Sequence, residues 1–131
     1  MINDHYDIEK IESELEKTVI SSGATKNVFI GYRPKVVDDK MNDFIVVMVV
    51  TKLEDLYAYG KCVCRIEMYA KNMKDGTKNR TKVGFIMGKL RMTFPIESSF
   101  CIFDNPTIIP MGNDDYGFNV TAINIDTIIT I

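Results

Sequence analysis

The chain has 131 residues, 46% of them hydrophobic and 26% charged, with a formal net charge of -2. That length suits a single domain, 1–131, with a core of its own, and that composition excludes disorder as the default state. The near-neutral charge argues against a general nucleic-acid binder, and no apolar run reaches the roughly 18–20 residues of a membrane span.

The first residues, Met1 to Asp7, lack the basic and apolar regions of a signal peptide, so a cytoplasmic setting is expected, with residues 1–6 flexible. Asp7 to about Ser22 reads as a helix. Ile8, Ile11, Leu15 and Val19 recur at helical spacing, and Glu9, Lys10, Glu12, Glu14, Glu16 and Lys17 fill the other faces. Asp4 or Asp7 can cap its start, and Gly23 suits the left-handed residue that ends it. Asn27–Tyr32 is a short strand, and Arg33-Pro34 forces an extended corner after it. Lys35–Asn42 is a polar link.

Phe44 to Val50 is the apolar centre: seven consecutive apolar residues with no charge and no glycine. Such a run reads as a strand covered on both faces. Leu53–Leu56 is expected to turn the chain, and Tyr57–Ala70 alternates, with Cys62, Cys64, Ile66, Met68 and Ala70 on one face. The short link makes these two strands an antiparallel hairpin, with Gly60 as a candidate bulge.

Asp75-Gly76 marks a turn, and a second helix is expected from about Asn79 to Phe94. Its core stripe is Val83, Ile86, Met87, Leu90 and Phe94. Phe85 and Met92 point elsewhere, and Gly84 and Gly88 lie inside it at about 1 kcal/mol each relative to alanine. Phe100–Phe103 and Thr107–Ile109 read as two short strands, and Phe118–Ile131 as a last long one. The slip of its alternation from Phe118, Val120 and Ala122 to Ile123 and Ile125 predicts a bulge or strong twist. The expected fold is α+β: a single mixed, mainly antiparallel sheet with two helices packed on it, in the order αβββα followed by two or three strands.

No catalytic constellation stands out. His5 is the sole histidine and sits outside the predicted elements, so a histidine-dependent nucleophile has no positioned base. Cys62-x-Cys64 lacks the second ligand pair of a closed zinc site, and buried free thiols fit all three cysteines better. Asp38-Asp39 and Asp114-Asp115 could hold a cation or an acid–base pair, yet aspartate is also an ordinary turn residue. Gly84-x-x-x-Gly88-Lys89 has neither the spacing nor the hydroxyl of a phosphate loop. No cofactor or metal is expected, and no enzymatic activity.

Charge is more informative. Asp4–Lys17 holds six acids and two lysines, Lys71–Arg91 seven bases and one acid, and Asp104 to the end four acids and no base. Segregation in a nearly neutral chain suits contact between copies. Phe85, Gly88 and Met92, flanked by Lys82 and Arg91, are the expected oligomer interface, with Glu12 and Glu16 on the acidic side.

Gly31-Tyr32-Arg33-Pro34, the acidic link, Asp43–Val47 and the long strand ending Ile66-Glu67-Met68-Tyr69 together resemble the tail terminator (tail completion) proteins of long-tailed bacteriophages. The similarity in element order covers about Asp7 to Phe94. The resemblance implies a non-enzymatic phage or prophage subunit that forms a ring homo-oligomer, caps the tail tube and joins it to the head connector. Its place would be the virion tail, assembled in the bacterial host cytoplasm, with no membrane and no nucleic-acid partner. It also implies that Gly31, Arg33 and Pro34 form a corner motif. The alternatives are a small-molecule-binding or enzymatic α+β domain, with a pocket holding Arg33, Arg65 or Glu67, and an adaptor of a contractile secretion apparatus.

Overall fold

A computed structural model describes residues 4–34 and 41–130. Two helices, α1 (Ile8–Ser22) and α2 (Arg80–Arg91), accompany seven strands: β1 (Val28–Ile30), β2 (Asp43–Val49), β3 (Glu54–Asp55), β4 (Gly60–Lys71), β5 (Ile96–Glu97), β6 (Cys101–Asn113) and β7 (Phe118–Ile129). They form one sheet in the order β1-β2-β4-β7-β6-β5, with β3 paired to the start of β4. Among the described residues only the β1–β2 pair is parallel. The expected α+β class with a mixed sheet and two helices is therefore observed.

Both helices begin on a side-chain cap. Asp7 accepts from the Glu9 and Lys10 amides, Asn79 from that of Lys82, and α1 ends on Gly23 at φ 76. Phe44–Val47 are buried on both faces, as the sequence predicts, because the sheet carries two apolar clusters; Met48 and Val49 are half-buried and Val50, past the strand, is exposed. Ile45 and Val47 join Cys64, Ile66, Met68, Ile123, Ile125 and the inner stripes of both helices. Phe44 and Val46 face the other way, onto Tyr69, Phe118 and Val120. Each fully buried apolar side chain of this size contributes about 1.5–3 kcal/mol.

Several expectations are corrected. Phe100–Phe103 and Thr107–Ile109 are one strand, β6, with an extra residue between Asp104 and Thr107 and another between Pro110 and Gly112. Asn105 at φ 54 and Gly112 at φ 82 absorb these bulges. The slip along β7 is no bulge: its register with β4 is unbroken from Gly60↔Ile129 to Lys71↔Phe118. Its apolar residues change side because Phe118 and Val120 serve the second cluster, whereas Ile123, Ile125 and Ile129 serve the first. Gly60 lies in that same regular ladder. It is small because the Tyr6 ring rests on it, and a Cβ there would meet ring carbon Cε1 at 2.7 Å. Residues around Leu53–Leu56 add a two-residue strand as well as a turn, and β5 had no sequence signal. His5 and Tyr6 dock on the domain, through Thr130 and Phe100 and through Asp55, whereas residues 1–3 of the segment expected to be flexible lie outside the described residues. So does most of the Lys35–Asn42 link, with Asp38-Asp39.

Glu12 departs most from its expected place. It is buried, and its Oε2 accepts the Val49 amide at 2.9 Å. The parallel partner β1 reaches no further along β2 than Val47, so a carboxylate supplies the acceptor that a longer β1 would have offered. Glu12→Ala should lower unfolding stability by about 1–3 kcal/mol, and Glu12→Gln, which keeps a carbonyl acceptor, by less. Chemical denaturation of the three chains checks the order.

Candidate functional site

Two surfaces stand out once the fold is in place, and the corner motif builds the first. Gly31 takes φ 94 and donates its amide to the Val47 carbonyl at 3.0 Å, which turns the chain out of β1 and brings Arg33 over the second cluster. There Phe44 stacks on Tyr69 with ring centroids 4.4 Å apart and meets Phe118 edge-on at 5.2 Å. The Arg33 guanidinium lies 4.4 Å from the Tyr116 ring centroid and 5.2–5.6 Å from those of Tyr69, Phe44 and Phe118. Cation–π attraction of this kind is worth about 0.5–2 kcal/mol. Nη1 of Arg33 also pairs with Oδ2 of Asp114.

Asp114 does two things at once. Its Oδ1 accepts the amides of Tyr116 and Phe118, each at 2.9 Å, and so closes the β6–β7 turn while Oδ2 holds Arg33. Burial opposes its charge, but the Phe118 and Tyr116 amides and the Arg33 guanidinium outweigh that and hold the carboxyl below the usual carboxylate range. Beside it, burial and the Glu67 carboxylate push the Tyr69 phenol up to about 12, so it stays neutral and donates to Glu67 at 3.1 Å. Of the two readings open for Asp114, the turn residue fits this geometry. Arg33 lies against aromatic rings, and Arg65 and Glu67 lie on the sheet beside Asn124 and Tyr69.

The second surface is the outer side of α2. Phe85 is 53% and Met92 86% exposed, and Gly84, Gly88, Lys89 and Arg91 join them around a shallow groove of about 460 Å³. Lys89 Nζ stands 5.6 Å from the Phe85 ring centroid, and Arg91 is exposed. Two members of the expected interface are placed otherwise. Lys82 pairs with Asp43 at 3.0 Å, which ties α2 to β2, and Glu12 is buried under α1; Glu16 is half-exposed on α1. Thus Phe85, Gly88, Met92 and Arg91 cluster, while Lys82 and Glu12 act within the chain.

All three cysteines are free and buried. Burial pushes the Cys101 thiol up to about 12, and the Cys64 thiol is raised by its hydrogen bond to Cys62 and by burial. Among the described residues no group of three or more His, Cys, Asp or Glu is placed to hold a metal ion, and no helix is long and apolar enough to cross a membrane. No protein-family model matches the chain, and no curated protein matches it.

Sequence reasoning named Arg33 and Asp114 separately and missed that they meet. The available signal was weak: an aspartate two residues before Tyr116 and three before Gly117, a pattern that any turn can show. Asp114→Asn keeps the Oδ1 contacts and loses the ion pair, so it should destabilise by about 1.5–3 kcal/mol at pH 7. Because the folded-state pKa of Asp114 is depressed, its contribution is present above the unfolded value near 3.9 and lost as pH falls through the folded one. The stability gap between wild type and Asp114→Asn should therefore narrow below about pH 4, as thermal melts across that range would show.

Proposed function

We propose that the chain is a non-enzymatic structural subunit of a long-tailed phage or prophage, a tail terminator-like protein that assembles as a ring. The ring caps the tail tube and joins it to the head connector, in the virion tail. Support comes from the element order along Asp7–Phe94: an acidic amphipathic helix, a short strand, a Gly-Tyr-Arg-Pro corner, a central hairpin and a second helix. That order is the one the resemblance implies.

The observation that carries the reading is the outer stripe of α2. Phe85 and Met92 stand exposed side by side with Lys89 and Arg91, over two glycines that leave room for close approach. Apolar groups concentrated between cations in this way suit a protein partner more than bulk water. A ring further requires two different patches that complement each other from one copy to the next.

Size-exclusion chromatography with light scattering tests it. A discrete oligomer is expected at micromolar concentration, shifting to smaller species as salt rises. Phe85→Asp and Met92→Asp should each weaken association by about 2 kcal/mol, roughly thirtyfold. A monomer across protein and salt concentrations would sink the reading.

A further inference from the structure

We infer that the acceptor for the α2 stripe is the bare face of the sheet in a second copy of this chain, centred on Asp104 and Asp126. This rests on the ring-subunit reading and adds the identity of the second patch.

Both helices pack on one face of the sheet, through Ile11, Leu15 and Val19 and through Val83, Ile86 and Leu90. Among the described residues no helix covers the opposite face. Arg33 and the aromatic cluster close one end of it. The other end is laid out by the strand registers: Asp104 stands directly across from Asp126, and Ile102 from Ile128 in the next row. Their neighbours Phe103, Ile125 and Thr127 are buried in the main core, so strand alternation turns these four outward. Val63 flanks Asp126 on β4, and all five are half-buried with no helix of the described residues above them.

Like charges directly opposite across a strand pair are destabilising. The two aspartates share one Asn105, whose amide donates to Asp104 at 2.8 Å and whose Nδ2 reaches Asp126 at 3.3 Å, and neither has a cation partner among the described residues. Nearby Arg65 is committed to Asn124 and Glu67, and Lys61 stands at the margin across from Ile128.

The α2 stripe has the converse chemistry, with two exposed cations around apolar Phe85 and Met92. Cations against the aspartates and apolar side chains against Ile102, Ile128 and Val63 would cover both patches. They lie on opposite sides of the molecule, so one chain cannot join its own. Symmetric pairing would set cations against cations. Only a head-to-tail contact satisfies both patches, and it repeats from copy to copy.

Charge exchange tests the pairing. Lys89→Glu with Arg91→Glu in one chain, and Asp104→Lys with Asp126→Lys in another, should each weaken self-association at least about tenfold. An equimolar mixture should reassemble, with each variant contacting only the other by native mass spectrometry and cross-linking. Because both aspartates hold the Asn105 bulge, Asp104→Asn with Asp126→Asn serves as a second variant; it keeps the acceptor oxygens and should weaken assembly without lowering Tm. A wild type that stays monomeric overturns the ring reading and this inference together. A wild type that assembles while the aspartate variants assemble equally well, or while the mixture fails to reassemble, overturns this inference alone.

Discussion

Phe44 lies at the junction of everything that is unusual in this fold. It is fully buried, yet it points away from both helices, and its cover is a ring of Tyr69, Phe118 and Phe29 with a guanidinium laid across the top. A sheet with helices on one side normally leaves its other face to water. Here an arginine closes one end of that face instead. Its planar, weakly hydrated group can lie against aromatic rings, where a lysine ammonium would demand more water. The charge is tolerable because Asp114 meets it, and Asp114 is fixed by amides of its own turn. The corner after β1 and the β6–β7 turn, 81 residues apart in sequence, are thereby held as one unit.

The same economy governs the other charges on β2. Glu12 takes over an amide that the short β1 cannot reach, and Lys82 reaches from α2 to Asp43, whose other oxygen accepts the Thr25 hydroxyl. Charges read from the sequence as solvated or as intermolecular are thus partly structural ties. Lys89 and Arg91 on α2 and Asp104 and Asp126 on the sheet are among the charges that these ties leave over. The segregation visible along the chain therefore overstates the free charge but preserves its sense.

Legibility in the sequence followed the range of the interactions. Both helices, the caps of α1 and the antiparallel β2–β4 pairing come from patterns within a dozen or so residues, although α2 ends at Arg91 and not at the expected Phe94. Strand β6 was misread because Asp104-Asn105-Pro106 carries every local mark of a break. A bulge uses those same residues to continue the strand, since proline has no amide to lose where the ladder is already interrupted. Strand β7 was misread because its pattern was judged against one buried face, and it serves two. The Arg33–Asp114 contact and the burial of Glu12 were beyond reach, because each depends on where a distant element ends. The outer stripe of α2 was legible, since a helix shows both of its faces in a single stretch of sequence.

Gly84 and Gly88 bring these strands of argument together. A glycine inside a helix costs about 1 kcal/mol relative to alanine, and its usual excuse is a neighbour too close for a Cβ. Neither position has one: a Cβ built at Gly84 or Gly88 would meet nothing within 4 Å. Contrast Gly60, where the Tyr6 ring leaves no room and the reason lies within the chain. At Gly84 and Gly88 no contact among the described residues calls for a glycine, and α2 is the weaker amphipath of the two helices. The two glycines sit on the same side as Phe85 and Met92, where small residues would let a partner backbone or side chain seat between the larger ones. That cost falls on the side of α2 its own core does not use, which is the side the proposed contact between copies would occupy.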